Sequence, residues 1–245
     1  MIFTFWTEDR EGGGGEAIPQ AVTAWREQYP DTRLYCDDDA IQALAELDRR
    51  FVDLYTRIRI PACKSDLARL ALLYKYGGLY IDIHAGPGDP QRVQDIVSKI
   101  PEYGIIIFDK TWERKFDNGI HLINGIIGAR KGSEIIKKIL DTVLMNLQQH
   151  DEKERATDTY VPYNLAVVTG AWNLRITLFD AIGDGVALKK ELASRVLQIG
   201  IKRGEDCGII LYKYYSYRKE GRHWSERQKG ERLFLRRDGP EEAGT

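Results

Sequence analysis

The sequence predicts an α/β layered domain, and three observations carry that prediction. From the first residue, short apolar runs alternate with segments of helical periodicity: strand, helix, strand, helix within 50 positions. At Gly77-Gly78 a helical run stops and a period-two run begins, which is the signature of a helix feeding a strand. The chain has 245 residues, 43% hydrophobic and 30% charged, a soluble globular balance. A domain of that length buries roughly 70–75% of its unfolded surface and needs no disulfide scaffold.

Ile2 to Trp6 reads as a short apolar strand. Glu11-Gly-Gly-Gly-Gly-Glu16 follows, either a linker or a backbone that lies close to a ligand. Ile18 to Tyr29 fits a helix, with Pro19 in its first turn and Val22, Trp25 and Arg26 at the spacing of a buried stripe. Pro30-Asp31 breaks it, and Arg33 to Cys36 reads as a second strand. Asp37 to Arg50 resumes helical spacing through Ile41, Leu44, Ala45 and Leu47. Lys64 to Tyr76 is the clearest helix, with Leu67, Leu70, Ala71 and Tyr74 in register. Leu79 to His84 alternates, Leu79, Ile81 and Ile83 on one face and Tyr80, Asp82 and His84 on the other.

Further strands are expected at Gly104 to Phe108 and Leu122 to Ile127, then a helix from Ser133 to Gln149. Asp151 to Thr157 reads as a charged, exposed connection. Helical patterns return at Tyr163 to Val168 and Leu174 to Ile182, with short strands near Val186, Val196 to Ile199 and Ile209 to Tyr214. Residues 218–237 carry eight Lys or Arg and three Glu, the pattern of a solvated basic tail. No repeat and no sharp change of composition divides the chain, so 1–245 reads as one domain.

Thirty-six Lys and Arg against 37 Asp and Glu give a formal charge of −1, which argues against a generic nucleic-acid binder. Three cysteines, Cys36, Cys63 and Cys207, lie far apart without a CxxC, as in a reducing compartment. The first residues lack the basic start and apolar core of a signal peptide. No apolar run approaches the ~18 residues of a membrane span. These features suit a cytoplasmic protein. Peripheral attachment at the inner membrane face through the basic tail, or delivery into a host cell, is compatible with them.

The chemistry-bearing stretch is Lys64 to His84. Ser65, Asp66 and Arg69 share one side of a helix, and as a local feature Asp66–Arg69 could be an ordinary surface pair. Asp82 and His84 leave one face of a strand at its carboxyl end, beside the Gly86-Pro-Gly88 loop. Ligands of open α/β sheets bind outside those ends. A carboxylate and an imidazole there can hold a divalent cation that neutralises a diphosphate. No P-loop, GxGxxG, HExxH or GxSxG motif occurs. Asp37-Asp38-Asp39 starts a helix and reads as a cap rather than a metal site. Tyr212, Tyr214, Tyr215 and Tyr217 read as a strand edge and loop rather than a carbohydrate-stacking platform.

The whole segment resembles the DxD-containing sugar-binding region of glycosyltransferase family 32 and its relatives, which include the glucosyltransferase domains of large clostridial toxins. The shared pattern is Ser-Asp-x-x-Arg at 65–69, an apolar helix, Tyr-Gly-Gly-x-Tyr at 76–80, then the acid pair beginning at Asp82. Looser similarity covers Phe3-Thr-Phe-Trp6, Trp25 through Pro30-Asp31, Asn124 to Ala129, and Thr169-Gly170 with Ala171 in place of Pro. The one departure inside the motif is His84, which replaces the second acid.

The resemblance implies a GT-A type, Rossmann-like nucleotide-sugar transferase fold with a mixed central sheet and helical additions. It implies a donor half at 1–130, an acceptor half at 131–217 and a closing segment at 218–245. The implied activity is retaining transfer of a hexosyl or N-acetylhexosaminyl group. The donor would be a nucleotide-sugar, a UDP-sugar being the family's commonest choice, and the acceptor a hydroxyl on a glycan or lipid-linked oligosaccharide. Trp6 would stack on the base. Ser65, Asp66 and Arg69 would contact ribose, diphosphate or sugar. Tyr80 would border the pocket, and Asn124 would reach the sugar. Asp82, with Asp66 and Arg69, would carry catalysis. Asp82 and His84 would bind Mn2+ or Mg2+, with His223 as a third ligand and Trp224 covering the donor. The alternatives are an effector-type transferase acting on a host protein and a silent nucleotide-sugar binding protein. A phosphodiesterase using Asp82 and His84 would leave Ser65 to Arg69 unexplained.

Overall fold

The computed structural model describes residues 1–7, 18–111, 119–183, 185–201, 207–211 and 223–236. The glycine run and the four tyrosines lie outside them. The elements run β1 (Ile2–Phe5), α1 (Ile18–Gln28), β2 (Arg33–Tyr35), α2 (Asp37–Leu47), α3 (Arg49–Arg57), α4 (Pro61–Tyr76) and β3 (Gly78–Ile81). Then follow β4 (Gly86–Pro87), α5 (Pro90–Lys99), β5 (Ile105–Lys110), β6 (Leu122–Ala129), α6 (Glu134–Arg155), α7 (Leu165–Val168) and α8 (Ala171–Leu178). Last come β7 (Phe179–Ile182), β8 (Gly185–Leu188), β9 (Val196–Ile201), β10 (Ile209–Ile210) and α9 (Trp224–Arg227).

Six strands form the central sheet in the order β2-β1-β3-β6-β5-β9. β1 is parallel to β2 and β3, β6 runs antiparallel to β3 and β5, and β9 is parallel to β5. The mixed α/β class expected from the sequence is therefore observed. Strand alternation divides the core into two layers. Phe3, Phe5, Tyr80, Ile105 and Ile107 face the layer containing α2, α3, α4 and α6. Ile2, Leu79, Ile81, Ile106 and Phe108 face Trp25 of α1 and Val93 and Ile96 of α5. Each buried aliphatic or aromatic side chain in these layers contributes about 1.5–3 kcal/mol by leaving water.

Several boundaries differ from the sequence reading, for physical reasons. The helix expected over Asp37 to Arg50 breaks at Asp48, whose extended backbone and side chain start a second helix by accepting the Arg50 N–H at 2.8 Å. The strand expected through His84 ends at Ile81. Asp82 to His84 turn, closed by the Ala85 N–H on the Asp82 carbonyl at 2.9 Å. The segment from Asp151 is no exposed connection. α6 runs on to Arg155, with Asp151 3% and Glu154 1% exposed. Arg57 forks onto both oxygens of Asp151 at 2.7 and 3.0 Å. The 174–182 helix stops at Leu178, and a hairpin of β7 and β8 follows.

The basic tail is also not simply solvated: Leu233, Phe234 and Arg227 are buried. α5, which the sequence reading does not include, is capped by Asp89 and opened by Pro90. The acids at the start of α2 are structural: Asp39 caps the helix by accepting the Cys36 N–H at 2.9 Å, and Asp37 reaches across the fold to accept the Thr7 and Tyr55 hydroxyls at 2.8 and 2.5 Å. The three cysteines are free thiols. Among the described residues, no helix is long and apolar enough to cross a membrane.

Candidate active site

β1 and β3 lie side by side in parallel, so the residues following both strands emerge at one edge of the sheet. A cleft of about 1010 Å³ opens there. Trp6 follows β1. Its N–H is fixed on the Tyr35 carbonyl at 3.0 Å, and its neighbour Thr7 is tied to Asp37. Asp82 follows β3. α4 crosses behind, and its spacing of three and four residues turns Ser65, Asp66 and Arg69 toward the same opening.

Asp66 and Arg69 are 7% and 5% exposed, so they are not a surface pair. Arg69 Nη2 lies 3.1 Å from Asp66 Oδ1 and 3.4 Å from Asp82 Oδ1, placing one guanidinium between two carboxylates. Its Nε donates to the Ser65 carbonyl at 3.1 Å, Nη2 donates to Ser65 Oγ at 3.1 Å, and Nη1 donates to the Asn124 carbonyl. The Tyr80 ring lies 4.8 Å below the guanidinium, and the Tyr80 hydroxyl donates to Asp82 Oδ1 at 2.5 Å. Asp66 also accepts Asn124 Nδ2 and the Thr169 hydroxyl, both at 2.9 Å.

These contacts set the charge states. Burial pushes the Asp66 carboxyl up to about 6, against the opposing pull of Arg69 and the Thr169 hydrogen bond. Burial also raises Asp82, but Arg69, His84 and the Tyr80 hydroxyl outweigh it and leave the carboxyl below its ordinary value. Burial lowers His84, with Asp82 opposing and Arg69 adding to the fall, so its imidazole is neutral near pH 7.

β6 brings Asn124 into this network through an irregularity. Ile107 of β5 faces Ile127, but the next residue, Phe108, faces Ile123. The intervening residues leave the β5 register while β6 stays on β3, where the Asp82 N–H donates to the Gly125 carbonyl at 2.7 Å. Such bulges re-aim side chains beside functional sites. Gly125 packs directly on the carboxylate: a Cβ there would stand 2.5 Å from Asp82 Oδ2.

The donor set can be tested against a divalent cation. His84 Nε2 and Asp82 Oδ2 lie 3.8 Å apart, a neutral imidazole nitrogen beside an ionised carboxylate oxygen. That pair fits Mn2+ and, with more oxygen ligands from substrate or water, Mg2+. His223 and Trp224 stand at the start of α9 and line the same cleft. His223 Nδ1 is engaged by Ser225, 2.6 Å from its hydroxyl. Among the described residues no group of three metal-ligating side chains is assembled, so His223 does not cluster with Asp82 and His84 here.

All the residues singled out from the sequence therefore line one cleft: Trp6, Ser65, Asp66, Arg69, Tyr80, Asp82, His84, Asn124, His223 and Trp224. Sequence reasoning missed Gly125, Lys110 and His121 in the lining. For Gly125 a signal existed, since a lone glycine in a strand pattern marks a bulge or a close approach.

A charged cleft at the carboxyl ends of neighbouring parallel strands stands where ligands of open α/β sheets bind. Residues 15–101 match the family model described as "Glycosyltransferase sugar-binding region containing DXD motif", which bears out the resemblance over that segment. No curated protein sequence matches. Among solved structures, the chain is similar to PaToxG glycosyltransferase, with 17% identity over 72% of this chain and 66% of that one and a TM-score of 0.44. It is also similar to the UDP-bound glycosyltransferase domain of the YGT toxin, at 14% identity over 69% and 52% with a TM-score of 0.44. A third is the catalytic domain of alpha-toxin from Clostridium novyi, at 11% identity over 63% and 59% with a TM-score of 0.42. The chain thus spans between about half and two thirds of these structures.

Proposed function

We propose that the chain is a retaining glycosyltransferase of GT-A type, moving a sugar from a UDP-sugar to a hydroxyl acceptor on a glycan or lipid-linked oligosaccharide. The observation that carries this reading is Arg69 bridging Asp66 and Asp82, which joins the Ser65–Arg69 helix face and the Asp-x-His turn in one cleft with Trp6.

In this reading Trp6 stacks on the uracil, and Tyr80 and Ser65 border the ribose and diphosphate. Asp66 and Asn124 face the sugar. Asp82 and His84 would hold Mn2+ or Mg2+, with His223 as a further proposed ligand. A bound cation would supply Lewis-acid stabilisation of the departing diphosphate. Arg69 keeps Asp82 ionised and oriented, so the site requires little reorganisation as charge develops. The acceptor oxygen bonds to the anomeric carbon as that carbon's bond to the phosphate oxygen breaks. The hydroxyl proton goes to the departing phosphate on the same face. Trp224 covers the donor and excludes water.

Residues 1–130 would serve the donor, 131–217 the acceptor and 218–245 closure. The protein would work in the cytoplasm, attached peripherally to the inner membrane face where the acceptor is lipid-linked. Calorimetric titration of UDP with and without Mn2+, followed by a panel of UDP-sugars scored by UDP release, tests the reading. Metal-dependent binding with turnover supports it. Metal-independent binding without turnover makes the chain a silent binding protein, and no binding of UDP or GDP overturns the assignment.

A further inference from the structure

We infer that Glu154 is a positioning residue for the cleft: it fastens the C-terminal segment 223–236 to α6 and so seats His223 and Trp224 at the donor. The inference rests on the proposed function for what occupies the cleft, but the fastening itself is a matter of geometry.

Six of the fourteen residues 223–236 are charged, and only Leu233 and Phe234 fully bury large apolar side chains there. Two such anchors leave the exact seat to hydrogen bonding. Glu154 provides it from the last turn of α6. It is 1% exposed, and its two oxygens accept the consecutive N–H groups of Leu233 at 2.7 Å and Phe234 at 3.1 Å. His150 Nε2 lies 3.2 Å from the same carboxylate, and Arg232 Nε lies 3.8 Å away. Burying a carboxylate is expensive unless hydrogen bonds compensate it. Here the two backbone donors come from the C-terminal segment and none from α6 itself.

The fastening point is continuous with the cleft. Leu233 and Leu235 exchange backbone hydrogen bonds with Arg59 and Arg57, at 2.9 and 2.8 Å. The Arg57 guanidinium lies 5.1 Å from the Phe234 ring and is held by Asp151 at 2.7 Å. One turn nearer the cleft, Arg227 grips Glu231 at 3.0 Å. Gln228 accepts the Leu165 N–H at 2.9 Å and the Tyr160 hydroxyl. Leu165, His223, Trp224 and Arg227 all line the cleft. A segment released at Glu154 therefore loses the register that sets His223 and Trp224.

The test is Glu154→Gln, which keeps size and helix propensity but turns an amide N–H toward one of the two backbone N–H groups. Two readouts are taken on the full chain. The first is the rate of tryptic cleavage within 227–236, followed by mass spectrometry. The second is UDP affinity in Mn2+ by calorimetry, with near-UV circular dichroism confirming the fold. Losing one charge-assisted hydrogen bond predicts cleavage about tenfold faster and UDP binding roughly five- to tenfold weaker. Should Glu154→Gln fail to fold, Tyr160→Phe removes one of the two hydrogen bonds on Gln228 without burying a charge and should move both readouts the same way by a smaller factor. Cleavage at the native rate would overturn Glu154 as the fastening. Faster cleavage with unchanged UDP affinity would overturn the coupling to the cleft. If the native chain binds no UDP, the functional reading falls and the coupling with it, while the cleavage rate still reports on the fastening.

Discussion

Gly125→Ala is the sharpest perturbation the site offers, because one methyl group acts on one carboxylate. The added Cβ would stand 2.5 Å from Asp82 Oδ2 and 3.0 Å from its Cγ, inside any contact real Cβ atoms make. Gly125 is not among the positive-φ glycines, so the backbone itself tolerates alanine. The strain falls on Asp82. Its other oxygen is held by Tyr80 at 2.5 Å and by Arg69 at 3.4 Å, and its N–H is tied to the Gly125 carbonyl at 2.7 Å. The carboxylate must then move by about 1 Å, a misplacement that can lower turnover roughly a hundredfold.

Overpacking costs about 1–3 kcal/mol, and removing a glycine returns about 0.4–1 kcal/mol through the unfolded chain. The net loss of about 1–2 kcal/mol corresponds to roughly 2–8 °C in Tm. Donor turnover scored by UDP release and a thermal melt measure the two effects. An alanine variant with native turnover would refute the claim that Gly125 sets Asp82.

The other predictions concern single groups. Asp82→Asn should abolish transfer while the far-UV spectrum and melting curve stay native-like, and a fully active variant would contradict the assignment. His84→Ala should make UDP binding insensitive to Mn2+, and a calorimetric titration that still needs the metal would move the site elsewhere. His223→Ala should weaken Mn2+ affinity, and an unchanged value would remove it from the ligand set. Trp6→Ala should weaken UDP by roughly 5- to 150-fold, from about 1–3 kcal/mol of lost stacking, with Trp6→Phe retaining most of the affinity in the same titration.

Asp66 predicts a pH effect. Its folded value of about 6 lies above the 3.8 of an unperturbed carboxyl, so the folded state holds the proton more strongly between those limits. Its stabilising contribution is complete below about 4 and is lost as pH rises through about 6, by about 3 kcal/mol at most. Urea unfolding of Asp66→Asn across pH 4–7 should remove that slope, and an identical profile would show that Asp66 does not titrate there.

What could be read from the sequence was what depends on neighbours along the chain. The spacing of Leu67, Leu70, Ala71 and Tyr74 fixed α4, and the alternation at 79–82 fixed the two faces of β3. Because Ser65, Asp66 and Arg69 share a helix side, their convergence with Asp82 needed only that α4 lead into β3. The errors came from contacts remote in sequence. Asp151 and Glu154 look like surface acids until Arg57 and the backbone of Leu233 and Phe234 arrive from 79 or more positions away. Asp48 looks like a helix residue because helical spacing continues on both sides of it, although its type suits a cap. Lys110 and His121 enter the cleft only through β5–β6 pairing, which no local pattern announces.

Because a single guanidinium serves both Asp66 and Asp82, the two carboxylates cannot be altered independently. A substitution at either one changes the field on the other through Arg69, so double variants within this trio should depart strongly from additivity. Any lineage or designer reshaping this part of the cleft would meet strong epistasis along that axis. Leu165, Ala166 and Ala171, in the same lining, carry no charge, and a substitution there acts on the trio through packing and not through a shared ion pair.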